Sequence, residues 1–253
     1  MVCGALILQQ PTPGRFFAGT SGYSYPTWKP DFYPKSVPTT KFLEYYSSRL
    51  NLVEVNYTFR QLAKASTFEK WIACTPADFV FAPKAHNKIT HILRLTNAEE
   101  FTRVFLESLE PLRLANKLGP ILFQLPPGLK CDVERLKNFA RILPSHYRYT
   151  FEFRNESWFA EPVFAALREA NAGLCLAESE ERETPEVITA DFVYYRLRKP
   201  EYSEAEVDQL SSAISKHRER GMDAYALFKH EDTPAGAFCA ERLLRGQSVQ
   251  VTP

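Results

Sequence analysis

Hydrophobic residues along this chain come in short pulses of strand length, set apart by longer stretches with helical spacing. The pulses run Arg15 to Thr20, Asn51 to Asn56, Phe79 to Lys84, Ile121 to Leu125, Tyr149 to Arg154, Gly173 to Glu178, Phe192 to Arg198 and Ala224 to Lys229, eight in all. Strand-like pulses that alternate with helix-like segments predict parallel βα units rather than an antiparallel sandwich.

Helix starts are marked in three places, where Ser66 with Glu69, Asn97 with Glu100, and Ser203 with Glu206 have the spacing of a capping box or its Asn variant. Apolar stripes follow. Phe101, Val104, Phe105, Leu109 and Leu112 form one that stops near Gly119, and Val207, Leu210 and Ile214 form another before Gly221. The stretch Ser179 to Asp191, SEERETPEVITAD, has too few apolar residues to cover a sheet face and contains Pro185. A loop or a stunted helix is expected there.

Eight strands with seven good helices fit an α/β fold of the (β/α)8 TIM-barrel type, as one domain over 15–253 behind an N-terminal extension at 1–14, with the helix after strand six short or missing. The rival is an open doubly wound sheet. Its phosphate fingerprint, GxGxxG after the first strand, does not match GTSGYSY.

Composition narrows the chemistry. The 253 residues are 45% hydrophobic, and 31 Lys and Arg against 30 Asp and Glu leave a net charge of +1, so no bulk pull toward nucleic acid or membrane is expected and any basic site must be local. The five cysteines, Cys3, Cys74, Cys131, Cys175 and Cys239, lack metal or disulfide spacing and read as reduced thiols of a cytoplasmic protein. The apolar start, Val2 to Leu8, is too short for a signal peptide's core, and no segment has the length of a membrane span.

The segment YTFEFRNESW, Tyr149 to Trp158, puts ionisable groups into a strand that should be buried. Side chains alternate along a strand, so Thr150, Glu152 and Arg154 share one face and Phe151 and Phe153 the other. Burying a charge is costly unless it is paired, so Glu152 and Arg154 must meet each other, further charges or a wet cavity. With Phe and Val assigned to the helix side, the inward residues near strand ends become Glu54, Asn56, Lys84, Gln124, Glu152, Arg154, Glu178, Arg196, Arg198 and Lys229. That is a polar barrel mouth, where active sites of this architecture gather.

Glu54 and Glu152 are candidates for general acid and base, with Arg154, Arg196 and Lys84 as a clamp for an anionic group. Lys84 or Lys229 could instead form a Schiff base if its pKa were depressed. Each of these residues could also serve as a structural ion pair or a solvated strand end. The five histidines, His86, His91, His146, His217 and His230, are too few at strand ends for a multi-metal centre, and no cofactor is implied; a single magnesium held by Glu54, Glu152 and Glu178 is the one metal alternative. The loop GYSYPTWKPDFYP packs Tyr23, Tyr25, Trp28, Phe32 and Tyr33 at no regular period. Tyr25 and Trp28, with Trp158 nearby, could stack a base or sugar, or the loop could wedge over neighbouring helices. His91 could line the same mouth or cap the next turn.

At these residues the chain resembles a known family. GTSGYSYPTWKPDFYP, VEVNYTF, FAPKAHNKITH, LGPILFQLPP and FEFRNESW, in order from about Phe17 to Leu244, resemble the signatures of the DUF72 or YecE-like proteins. The resemblance implies a TIM barrel, and a proposed kinship in shape with the xylose-isomerase and endonuclease-IV barrels admits sugar phosphates or nucleic acid as ligands. Matching positions are Ser21, Gly22, Tyr25, Trp28, Phe32, Tyr33, Glu54, Asn56, Lys84, Thr90, His91, Gln124, Glu152, Arg154 and Trp158. Departures fall at Arg60, Glu178, Arg198, Lys199, Lys229 and His230, and most add positive charge. Such changes favour a more anionic ligand or mark a lost chemistry.

Three functional expectations follow. The first is an enzyme, a hydrolase or lyase, acting by acid/base chemistry on a small phosphorylated or carboxylated substrate. The second is a nucleic-acid-binding protein or nuclease, and the third a barrel kept as a non-catalytic adaptor.

Overall fold

The computed structural model describes residues 12–178, 183–229 and 232–249. Its strands are β1 (Phe16–Ser21), β2 (Leu52–Val55), β3 (Val80–Pro83), β4 (Ile121–Gln124), β5 (Tyr149–Glu152), β6 (Gly173–Glu178), β7 (Phe192–Leu197) and β8 (Asp223–Phe228). The helices are α1 (Phe42–Ser47), α2 (Tyr57–Arg60), α3 (Ala65–Ala73), α4 (Glu99–Ser108), α5 (Glu110–Leu114), α6 (Val133–Arg141), α7 (Glu161–Glu169), α8 (Glu204–Glu219) and α9 (Ala235–Val249). All eight apolar pulses are strands.

Every strand pairing is parallel, in the order β3-β2-β1-β8-β7-β6-β5-β4. The ring closes between β3 and β4 through parallel bridges Phe81 to Leu118 and Lys84 to Leu122, supported by the Ala85 amide donating to Leu122 O at 2.9 Å. An open sheet would leave β3 and β4 at opposite edges, so closure excludes the doubly wound rival and gives the (β/α)8 barrel.

Two apolar layers follow from the strand alternation. Phe17, Leu52, Val80, Ala82, Leu122, Cys175, Phe192, Tyr194, Tyr225 and Leu227 fill the barrel centre, while the larger cluster, including Phe81, Phe123, Phe151 and Val193, lies between strands and helices. Each large side chain so buried contributes about 1.5–3 kcal/mol. The N-terminal end of the barrel is closed by Asp223, which accepts from Arg15 Nη2 at 2.7 Å and Arg148 Nη1 at 2.6 Å.

Helix boundaries correct two of the three expected starts. Only Ser203 and Glu206 form a reciprocal capping box, at α8, which ends at Gly221 with a φ of 82°. Ser66 lies inside the first turn of α3 behind Lys64 and so cannot cap it. Asn97 takes a left-handed φ of 49°, which Asn tolerates, and Ala98 takes the cap position of α4. The stripe from Phe101 to Leu112 is broken into α4 and α5, because Pro111 in the first turn of α5 lacks an amide proton for a continuous helix. Among the described residues no helix lies between β6 and β7, as the composition of Ser179 to Asp191 predicts, although 179–182 lie outside the described residues. Residues 1–11 of the proposed N-terminal extension also lie outside them.

Candidate functional site: the polar mouth of the barrel

Above the apolar filling, the C-terminal strand ends bring Ser21, Glu54, Gln124, Glu152 and Arg196 together, all buried. The register makes this unavoidable, since Ser21 pairs with Glu54 across β1 and β2, and Gln124 with Glu152 across β4 and β5. Arg196 is 3% exposed and lies between the two carboxylates, which are 0% and 1% exposed. Its Nη2 donates to Glu54 Oε1 at 2.5 Å and to Ser21 Oγ at 3.3 Å, and its Nη1 donates to Glu152 Oε2.

Glu152 collects donors from three strand ends. Gln124 Nε2 reaches both carboxylate oxygens at 2.9 Å, Arg154 Nε reaches Oε1 at 3.1 Å, and Arg198 Nη2 is 3.2 Å from the same carboxylate. Burial alone would raise this carboxyl, but Arg196 and Arg154 beside it, with Gln124, hold it below the ordinary glutamate value. Glu152 is therefore an ionised acceptor at neutral pH, not a proton donor. Glu54 is likewise occupied, accepting from Arg196, from Ser21 Oγ and from Tyr194 Oη at 3.0 Å. Burial, and the neighbouring Glu54, push the Tyr194 phenol well up, so it stays a neutral donor.

Lys84 is half-buried. Its Nζ donates to Gln124 Oε1 at 2.9 Å and sits 4.2 Å from the centroid of the Phe59 ring. Burial, then the charge of Arg196, lower its pKa to about 8 against the pull of Glu54 and Glu152. His91 lies edge-on to the same Phe59 ring, centroids 5.1 Å apart, with Nδ1 2.9 Å from Thr90 Oγ1. Burial, and then Lys84 and Arg154, lower its pKa, which leaves the imidazole neutral at pH 7.

A cleft of about 310 Å³ opens beside this network, with Glu152, Arg154 and Arg198 on one side and Glu178, Glu183 and Thr184 on the other. Glu178 is tied to Tyr202 Oη and to Lys199 Nζ, at 2.5 and 3.5 Å. Arg198 Nε is buried without a hydrogen-bond partner. Lys84, Arg154, Arg196 and Arg198 gather around Glu54 and Glu152, with Glu178 and Glu183 on the far wall of the cleft.

Several predicted site residues are elsewhere. Trp28 and Trp158 are fully buried and do not reach the mouth. Trp28 packs among Tyr25, Phe32 and Tyr33, and Trp158 stacks on Phe153 while its Nε1 donates to Leu129 O at 2.8 Å. The expectation that they stack on a ligand is corrected by burial: the loop after β1 packs its largest rings inward. Tyr25 is half-buried, its hydroxyl on Ser21 O at 2.7 Å, and Asn56 is half-buried at the start of α2. Lys229 is exposed beyond β8, its amide donating to Leu197 O.

The charge-adding departures do not act together. Arg198 faces Glu152, but Lys199 turns to Glu178 and Glu206, Arg60 is exposed, and His230 lies outside the described residues. Of the three carboxylates named for a magnesium, Glu54 and Glu152 have Arg196 between them and Glu178 faces Tyr202; among the described residues no three potential metal ligands converge. Tyr194 and Phe59 were not expected in the site, and the apolar pattern around each gives no signal for it.

Among the described residues no helix is long and apolar enough to cross a membrane. A family model described as "Protein of unknown function DUF72" matches residues 17–251. The UPF0759 protein YunF of Bacillus subtilis (strain 168) is 33% identical over 138 residues, 52% of this chain and about half, 49%, of that protein's length. A DUF72 family protein from Thermotoga maritima MSB8 superposes with a TM-score of 0.83 at 25% identity, covering 92% of this chain and 99% of that one. One from Enterococcus faecalis V583 gives 0.73 at 19% identity over 96% and 100%, a likeness of fold.

Proposed function

The chain belongs to the DUF72 family, and from its barrel mouth we propose an enzyme, a hydrolase or lyase, that holds a small phosphorylated or carboxylated substrate and acts on it by proton transfer. The observation that carries this reading is the convergence of Arg154, Arg196 and Arg198 on Glu152, with Lys84 joined through Gln124. Three guanidinium groups gather at one carboxylate that lines the cleft, and guanidinium forks are suited to carboxylate and phosphate oxygens.

In this reading Arg196 and Glu152 form the rigid floor, while Arg154 and Arg198, on the wall of the cleft, meet the anion. Lys84 and His91, which share the Phe59 ring and have pKa values lowered toward or below neutrality, carry protons. The acid/base role thus passes from the two saturated glutamates to a lysine and an imidazole. The aromatic loop offers no stacking surface from Trp28, which favours a small anion over a nucleic-acid ligand in this reading.

Thermal unfolding in inorganic phosphate and in small carboxylates, at ionic strength matched with chloride, tests the reading. A ligand at a hundred times its Kd adds about 2.7 kcal/mol of stability. Stabilisation that is lost in Arg154→Met supports the clamp. Equal stability in every anion removes it.

A further inference from the structure

We propose that Lys84 is a nucleophile that condenses with the carbonyl carbon of a small aldehyde acid or 2-oxo acid whose carboxylate is held by Arg154. The inference rests on the anion-binding reading above and adds a substrate class and a covalent step to it.

The backbone of Lys84 is fixed on both sides. Its amide donates to Val55 O at 3.1 Å and its carbonyl accepts from Thr58 Oγ1 at 2.8 Å. The side chain is therefore aimed from a rigid point at the end of β3. The contacts of its Nζ are an amide oxygen and a ring face, Gln124 and Phe59, rather than a carboxylate. The two glutamates that would keep an ammonium charged are bound by Arg196, whose own charge opposes that of Lys84. Desolvation beside another cation is the setting that makes a lysine amine nucleophilic at neutral pH.

Lys117 is the instructive contrast. It is 4% exposed, yet its Nζ donates to Thr75 O at 2.9 Å, to Thr75 Oγ1 at 2.8 Å and to Pro76 O, so its hydrogens are engaged and its role is structural. Lys199 is paired with Glu178 and Glu206.

The step balances without an outside reagent. The Nζ lone pair attacks the carbonyl carbon, an Nζ proton passes to the oxygen to give a carbinolamine, and a further proton from solvent lets the hydroxyl leave as water, which leaves an iminium linkage to Lys84. His91, neutral and beside the same Phe59 ring, is placed to relay the protons. Arg154 and Lys84 are joined through two intermediates, Arg154 donating to Glu152, which also accepts from Gln124, which in turn accepts from Lys84, and this puts the anion clamp and the amine in one locality.

The experiment is reductive trapping of the full chain with sodium cyanoborohydride and either glyoxylate, which carries a carboxylate, or acetaldehyde, which does not, followed by peptide mass mapping. With a pKa of about 8 the neutral fraction of Lys84 at pH 7 exceeds that of an ordinary lysine by roughly 200–300-fold. Lys84 is expected to be labelled ahead of exposed lysines and of Lys117, to prefer glyoxylate, and to lose that preference in Arg154→Met. The mapping on the unaltered protein needs no variant to fold. Labelling spread over surface lysines, while phosphate still stabilises the protein, would overturn the nucleophile and leave the anion site standing. Preferential labelling by both probes alike, indifferent to Arg154→Met, would overturn the carboxylate anchor.

Discussion

Arg196 donates to Glu54 at 2.5 Å across 142 positions of sequence, and both side chains are buried in the barrel. The other end of the same guanidinium reaches Glu152, so one residue of β7 ties β2 to β5 through the interior. A buried charge pair of this kind is costly to break from one side, because the partner left behind cannot regain water.

Glu152→Gln is expected to destabilise the fold by about 3–5 kcal/mol, since Arg154, Arg196 and Arg198 lose a shared counter-charge. Urea unfolding measures the loss. Arg196→Met, which also strips Glu54 of its counter-charge, should be costly too, and the double variant should lose less than the sum of the two; a double-mutant cycle with no coupling between the two sites would contradict the network.

The same carboxylate sets an acid limit. Its folded pKa lies below the unfolded one, so its contribution is complete above the unfolded value of about 4.3 and disappears as the pH falls through the folded value. The stability gap between the unaltered protein and Glu152→Gln should be constant near neutrality and close below about pH 4. Denaturant curves at a series of pH values check it.

Lys84 works in the opposite direction. Its pKa falls from 10.5 to about 8 on folding, so the unfolded chain binds more protons between those values and stability rises with pH across that window. Lys84→Met should then raise stability at pH 7 by about 1–3 kcal/mol, after loss of the Gln124 contact, with the gain gone near pH 10.5. A gain independent of pH would point to packing alone.

Arg198→Met should weaken phosphate binding about ten-fold, the loss of one charged hydrogen bond of about 1.4 kcal/mol. Lys199→Met, one position along but turned to Glu178 and Glu206, should leave that affinity unchanged. Titration calorimetry in matched low salt separates the two.

Tyr194→Phe removes the donor to Glu54 Oε2 and should cost about 1–3 kcal/mol, an effect that chevron or equilibrium unfolding can read.

The period-two alternation made Glu152 and Arg196 legible as inward residues from the sequence, because a strand has no other way to hide its phenylalanines. It could not show that Arg196 stands between the two glutamates, nor that Glu152 collects so many donors, and so it offered both glutamates as acid and base. Trp28 and Trp158 failed for a related reason: an aromatic after a strand reads the same whether it faces solvent or the helix layer, and burial decided for the core.

Local pattern by itself determined the eight strands, the thin connection after β6, the capping box at Ser203 and the polar character of the mouth. These depend on the order of neighbours in the chain, which the sequence contains. Tertiary structure decided which charges meet, because closure of β3 on β4 and the strand register bring Ser21, Glu54, Gln124, Glu152 and Arg196 to one level from five different strands. It also decided which lysine is desolvated, for the setting of Lys84 is made by Phe59, Gln124 and Arg196, none of them its neighbour in sequence.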